Sequence, residues 1–114
     1  MYVDGFLIAL PKDQVETYTD FSRLGGEIWK EHGALSYVEC VADDVPYGEL
    51  TSFPRAVMAK DDEVVVFSWI TYPSRAVRDA ANAAVMADPR IKDMKMPFDG
   101  KRMIWGGFKT ILEM

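Results

Sequence analysis

The sequence predicts an α+β fold in which a four-stranded antiparallel sheet carries two helices on one face. Three observations lead there. Apolar runs of strand character alternate with two amphipathic helical segments, the order along the chain is strand, helix, strand, strand, helix, strand, and the strands are apolar on both sides.

Tyr2 to Leu10 is broken only by Asp4 and Gly5 and ends at Pro11, which suits a buried strand stopped by proline. From Asp13 the period changes. Val15, Tyr18, Phe21, Leu24, Ile28 and Trp29 share one side of a helical wheel, with Lys12, Glu16, Asp20, Arg23, Glu27 and Lys30 opposite. Asp13 is the expected N-cap and Gly33 the expected stop. Gly25-Gly26 inside this helix costs about 1 kcal/mol per glycine relative to alanine, which predicts close packing or a bend there.

Ala34 to Ala42 reads as the second strand, residues 43–48 as a loop, and Arg55 to Ala59 as a short extra strand. The turn Lys60-Asp61-Asp62 leads into Glu63 to Tyr72, a β-branched and aromatic run with the strongest strand signal of the chain. Ser74 is the expected N-cap of the second helix, which Asp88-Pro89 ends. Its predicted buried side, Val77, Ala80, Ala81, Ala84 and Ala87, is small enough for close approach to a sheet. A connection containing Pro97 and Asp99-Gly100 precedes a final strand from Arg102 to Leu112. The order is the split βαβ pattern of ferredoxin-like domains, and residues 1–114 are of the right length for one such domain.

With 49% hydrophobic and 27% charged residues the chain has a globular composition. Thirteen Lys and Arg against 18 Asp and Glu give a net charge of -5, whose field opposes nucleic acid and an anionic membrane surface. Cys40 is the only cysteine, so no intrachain disulfide forms, and a lone thiol fits a reducing compartment. Met1-Tyr2-Val3-Asp4 lacks the basic region of a leader, and no stretch approaches the roughly 18 apolar residues of a membrane span. A cytoplasmic location is the expectation.

Two helices shield one face of a sheet, so the other face should alternate to polar residues in a monomer. Here it does not. Phe6, Ile8 and Leu10 oppose Val3, Leu7 and Ala9; Val65, Phe67 and Trp69 oppose Val64, Val66 and Ile70; Met103, Trp105 and Ile111 oppose Ile104, Phe108 and Leu112. An apolar face of this size calls for a cover, and a second copy across a two-fold axis is the economical one. The alternative is a monomer whose loop from Asp43 to Pro54 folds back across the sheet.

Asp4 and Glu39 each interrupt an apolar strand, and a charge on a buried face must be paired, hydrated or functional. If their faces are the ones turned from the helices, both line a dimer cleft with Trp105 and Lys109, placing acid/base groups beside an aromatic wall for a small-molecule ligand that also touches Trp69. The structural alternative is an ion pair of Asp4 or Glu39 with Lys109 or Arg102. His32, the only histidine, is expected at a helix C-terminus for its charge complementarity, and Cys40 is expected to be a buried hydrophobe. Arg75 with Asp79, and Arg78 with Asn82, are placed on a solvated helix arc. The methionines have no metal-type spacing, and no cofactor or metal site is implied.

A long ordered series of short motifs runs through the chain: Val3-Asp4-Gly5-Phe6, Gly33-Ala34-Leu35, Val38-Glu39-Cys40, Asp44-Val45-Pro46, Phe67-Ser68-Trp69-Ile70, Tyr72-Pro73-Ser74 and Met96-Pro97-Phe98-Asp99-Gly100 among them. In these the chain resembles the YbaA-like family of uncharacterised bacterial proteins. The resemblance implies a ferredoxin-like fold of the dimeric α/β-barrel type and a homodimer, and it carries over no catalytic residue. RNA recognition, which the same fold supports elsewhere, expects a Lys/Arg-Gly-aromatic signature on the third strand, where this chain has Val64-Val65-Val66-Phe67-Ser68-Trp69-Ile70. The functional expectations are therefore a cofactor-free small-molecule enzyme or binder, a non-catalytic dimeric module, and, disfavoured by charge, an RNA binder.

Overall fold

A computed structural model describes residues 1–114. The apolar run at the N-terminus is strand β1, Tyr2–Pro11, and the fixed φ of Pro11 turns the chain into a short 3-10 turn at Lys12–Gln14. Helix α1, Val15–Glu31, follows, then β2, Ser36–Val41, a short helix α2, Phe53–Ala56, β3, Glu63–Tyr72, helix α3, Arg75–Met86, a single turn α4, Pro89–Lys92, and β4, Ile104–Lys109. All strand pairs are antiparallel and the sheet order is β2-β3-β1-β4, with the two longest strands at the centre. The class is α+β, as read from the pattern.

Register decides which side chains meet which layer. Ile8 pairs with Val66 and Asp4 with Ile70, so the even residues of β1 and β3 share a face. On that face Ile8, Leu10 and Val66 pack with Tyr18 of α1, while Ile70 and Tyr72 pack with Ala34 and with Ala81 of α3. Both long helices therefore lie on one side. Burying the side chains of Leu10, Ile28, Tyr72 and Val85 there contributes about 1.5 to 3 kcal/mol each.

Local chemistry accounts for the ends of the elements, and in several places it departs from expectation. Asp13 lies in the 3-10 turn and caps nothing; Gln14 precedes α1 without a side-chain cap. Gly33, at φ +106, stops α1 as expected, and His32 is its exposed C-cap. The segment Arg55 to Ala59 is not a strand. Ser52 accepts a hydrogen bond from the Arg55 amide and Pro54 sits in the first turn, so capping chemistry makes this stretch helical instead. Ser74 does cap α3, through the Val77 amide. The buried residues of α3 are Ala81 and Val85, with Val77 and Ala84 half-buried, whereas Ala80 and Ala87 are exposed; the helix is rotated from the expected alanine face. β4 ends at Lys109, leaving Ile111 and Leu112 exposed beyond it.

Arg102 fastens the far end of the sheet. Its guanidinium bonds both Glu63 carboxylate oxygens at 2.7 Å, Asp99 at 2.9 Å and the Met58 carbonyl at 2.9 Å, joining β3, the turn before β4 and the residues after α2. That pairing, with the Lys60 amide, lowers the Glu63 carboxyl to about 2. A carboxyl lowered on folding contributes stability above its unfolded value near 4.5 and loses it as pH falls toward about 2. Glu63→Gln is predicted to lower the melting temperature at neutral pH and to make its decline between pH 4.5 and pH 2 shallower than in the unsubstituted chain; equal slopes in a melting series across that range count against this account.

Candidate functional site

The face away from the helices is uncovered over most of its area. The register puts Val3 and Leu7 of β1, Val38 and Cys40 of β2, Phe67 and Trp69 of β3, and Ile104 and Phe108 of β4 on it. Phe67 is 43% exposed and Phe108 64%. The loop from Asp43 to Pro54 does not roof this face. Only one end is covered, where Val57 packs on Ala9 and Val65, and Phe53 stands edge-on to Phe67 at 5.9 Å. A cleft of about 290 Å3 between β2, β3 and the loop is walled by Cys40, Val45, Phe53, Val65 and Phe67. Cys40, expected buried, is exposed on this face, because its strand is the sheet's edge and nothing in the chain packs over it.

The buried polar groups are all on the helix side. Asp4 is 1% exposed there, because Arg78 of α3 reaches its carboxylate through Nε and Nη2 at 2.9 to 3.2 Å and the Tyr72 hydroxyl donates to it at 2.9 Å. Burial, then the bond to Asp4, pushes the Tyr72 phenol far above its ordinary value and keeps its hydrogen in place. The guanidinium lies 5.3 Å from the Tyr2 ring centre and 6.0 Å from that of Trp105. Gly107 faces Asp4 across the sheet, and a Cβ there would come within 2.7 Å of the Arg78 Nη2. The glycine is the space in which the ion pair forms. One helical turn after Arg78, Asn82 accepts a hydrogen bond from the Trp29 indole at 3.1 Å and so brings α1 into the same network.

Glu39 is the second carboxylate of this side. The Tyr18 hydroxyl donates to one oxygen at 2.7 Å and the Tyr37 hydroxyl to the other at 2.9 Å. Burial, then the adjacent Glu39 charge, pushes both phenols well up, so both remain donors. Gly25 and Gly26 fit here. A Cβ on Gly26 would stand 2.8 Å from the Tyr37 ring, so the glycine pair is the close approach of α1 to β2. Between the two elements runs an open groove of about 890 Å3, with Ser22, Gly26, Leu35, Tyr37 and Glu39 along it and Lys30 at its side.

The residues expected to share one cleft are thus divided by the sheet. Asp4, Glu39, Trp105 and Lys109 are on the helix side, and Trp69 is on the open side. Pairing in register explains the division: Asp4 aligns with Gly107, Phe6 with Trp105, and Glu39 with Ser68, all on the face that carries the helices. Neither carboxylate pairs with Lys109 or Arg102; Asp4 pairs with Arg78, and Arg102 with Glu63 and Asp99. Arg78, placed by its helical spacing on a solvated arc, is nearly buried, while Arg75 and Asp79 do form the exposed pair expected of them at 3.6 Å. No three His, Cys, Asp or Glu side chains come together in a set that could hold a metal ion.

Residues 1–100 match the family model described as "Protein of unknown function (DUF1428)". The chain belongs to the DUF1428 family. It is 54% identical over 114 residues to the "Uncharacterized protein YbaA" of Escherichia coli K12, covering 98% of this chain and 97% of that protein, and equally so to the YbaA protein of Shigella flexneri. The resemblance read from the short motifs is therefore that of this family of unknown function. No helix is long and apolar enough to cross a membrane.

The Asp4 network has a direct energetic test. Taking away one partner of a buried ion pair leaves an uncompensated charge and costs about 3 to 5 kcal/mol. Arg78→Met is predicted to lose stability in that range in urea unfolding, and adding Asp4→Asn to it to restore part of the loss; a change under about 1 kcal/mol for Arg78→Met contradicts the reading.

Proposed function

We propose that the chain is a single ferredoxin-like domain, residues 1–114, that works in the cytoplasm as a homodimer. Two copies close their sheets face to face in a dimeric α/β barrel, and a small apolar molecule binds between them without a cofactor. One observation carries this reading: an uncovered apolar face spans all four strands. At strand spacings of about 4.8 Å and rises of about 3.3 Å per residue it extends roughly 15 by 20 Å, the scale of the largest apolar patch on a monomer, which is often functional. The strand order β2-β3-β1-β4, with helices connecting β1 to β2 and β3 to β4, supports the ferredoxin-like assignment.

Of the ligand contacts read from sequence, Trp69 belongs to this space, with Phe67 beside it at 5.6 Å. Asp4, Trp105 and Lys109 lie across the sheet, where Asp4 is engaged by Arg78 and Tyr72. A second reading, a dimer that serves association alone, is favoured by the absence of acids and bases from the open face: between Val65 and Thr71 of β3, and along the facing parts of β1, β2 and β4, the Cys40 thiol is its one titratable side chain. RNA has the least support, since the net charge of -5 opposes a polyanion.

Sedimentation equilibrium tests the proposal. The unsubstituted chain is expected to be a dimer at micromolar concentration, and Phe67→Glu or Phe108→Glu to sediment as folded monomers. A stable monomer of the unsubstituted chain at high concentration overturns the dimer and the cavity together. A dimer whose tryptophan fluorescence changes no more with a panel of apolar ligands than that of its Trp69→Phe variant selects the association-only reading.

A further inference from the structure

The two carboxylates of the helix side face the same electrostatic problem, and only one is neutralised. Asp4 has the Arg78 guanidinium. Glu39 is half-buried and accepts from two neutral phenols, and no lysine, arginine or histidine comes within ion-pair distance of it. The two cations that border its groove are turned to other partners: Lys30 donates to the Leu35 carbonyl at 2.9 Å, and Arg23 pairs with Asp20 at 2.9 Å.

The hydrogen-bond inventory points in the same direction. Tyr18 and Tyr37 each spend their one hydroxyl hydrogen on Glu39, so their remaining capacity is to accept. Ser22, 3% exposed and lining the groove, carries the one buried side-chain oxygen of the molecule without a hydrogen bond of good geometry, though it stands close enough to Tyr18 and Tyr37 to offset part of the rise of their phenols. Buried polar atoms are ordinarily satisfied, and one left open costs about 1 to 3 kcal/mol. The floor of the groove is thus a negative, acceptor-rich cluster with one oxygen unused. Leu35, 53% exposed, and the Tyr37 ring supply the only apolar surface along it.

We propose that the groove between α1 and β2 binds the ammonium group of a small organic amine, whose N–H bonds go to the Glu39 carboxylate and the Ser22 hydroxyl and whose carbon chain lies against Leu35 and Tyr37. An ammonium supplies the charge that Glu39 lacks and has three donors for a cluster that is short of donors. An anion is repelled by Glu39, and a hard divalent ion needs six or more oxygens, whereas the carboxylates along the groove, Glu27, Glu31 and Glu39, do not come together in a set that could hold a metal ion. The site is on the opposite side of the sheet from the proposed dimer cavity and stands or falls independently of it.

The test is titration of the full chain, followed by calorimetry and by the amide spectrum, with n-butylammonium, with n-butanol as the uncharged analogue, and with tetramethylammonium as a cation without N–H groups. Saturable binding of n-butylammonium at least tenfold tighter than either control is the expected result, with shifts confined to α1 and β2. Glu39→Gln should weaken it at least tenfold. Ser22→Ala provides the second variant, should the first fail to fold: it removes a buried unpaired oxygen, so the free chain should melt at the same temperature or higher, while amine affinity falls severalfold. Absence of saturable binding, equal affinity for n-butanol, or unchanged affinity in a folded variant overturns the proposal.

Discussion

Two helices lie on one side of a four-stranded sheet whose strands are apolar on both sides, and most of the molecule's other features follow from that inequality. Much of the helix side is buried, so the polar groups deepest in it find partners within the chain. The open side is apolar, and the chain itself covers only one end of it. The segment that folds toward it, from α2 to Ala59, reaches one end and stops, held by Arg102 on the Met58 carbonyl.

The polar groups of the closed side are arranged as two clusters with different electrostatic outcomes. Around Asp4 a guanidinium, a phenol and two flanking aromatic rings join β1, β3, β4 and α3, and Asn82 extends the network to Trp29 of α1. Such a pair binds the layers in one relative position, because a shift of either breaks a charge away from its partner. Around Glu39 two phenols do the same work for β2 and α1 without a cation, and the glycine pair of α1 lets the ring of Tyr37 lie against the helix backbone. One cluster is complete. The other has charge and acceptor capacity left over, at the edge of the molecule where a solute can arrive.

This division also bears on what kind of function the chain can have. Between Val65 and Thr71 and along the strands facing them, the apolar face has aromatic rings and one thiol, while Asp4 and Glu39 are on the far side of the sheet. Asp4 and Glu39 therefore cannot reach a ligand held on the aromatic rings of the open face of the same protomer. The two proposals therefore rest on separate surfaces, assembly on the open face and amine recognition on the groove of the other.

Much of this was legible in the residues. The period-two runs from Tyr2 and from Glu63, the helical period after Val15, Ser74 as a cap and Gly33 as a stop are local signals, set by neighbours a few positions apart, and they specify the class and nearly every element. Gly25-Gly26 announced a close approach, though not that Tyr37 makes it. What the sequence alone determined was therefore secondary structure, the double apolar character of the strands and the isolation of Asp4 and Glu39 among apolar neighbours. Tertiary structure decided which face the helices cover, and with it that Asp4 meets Arg78, 74 residues away, while Glu39 meets only hydroxyls. Alternation tells which side chains share a face but is symmetric between the two faces, and only the packing of helices on the sheet breaks that symmetry.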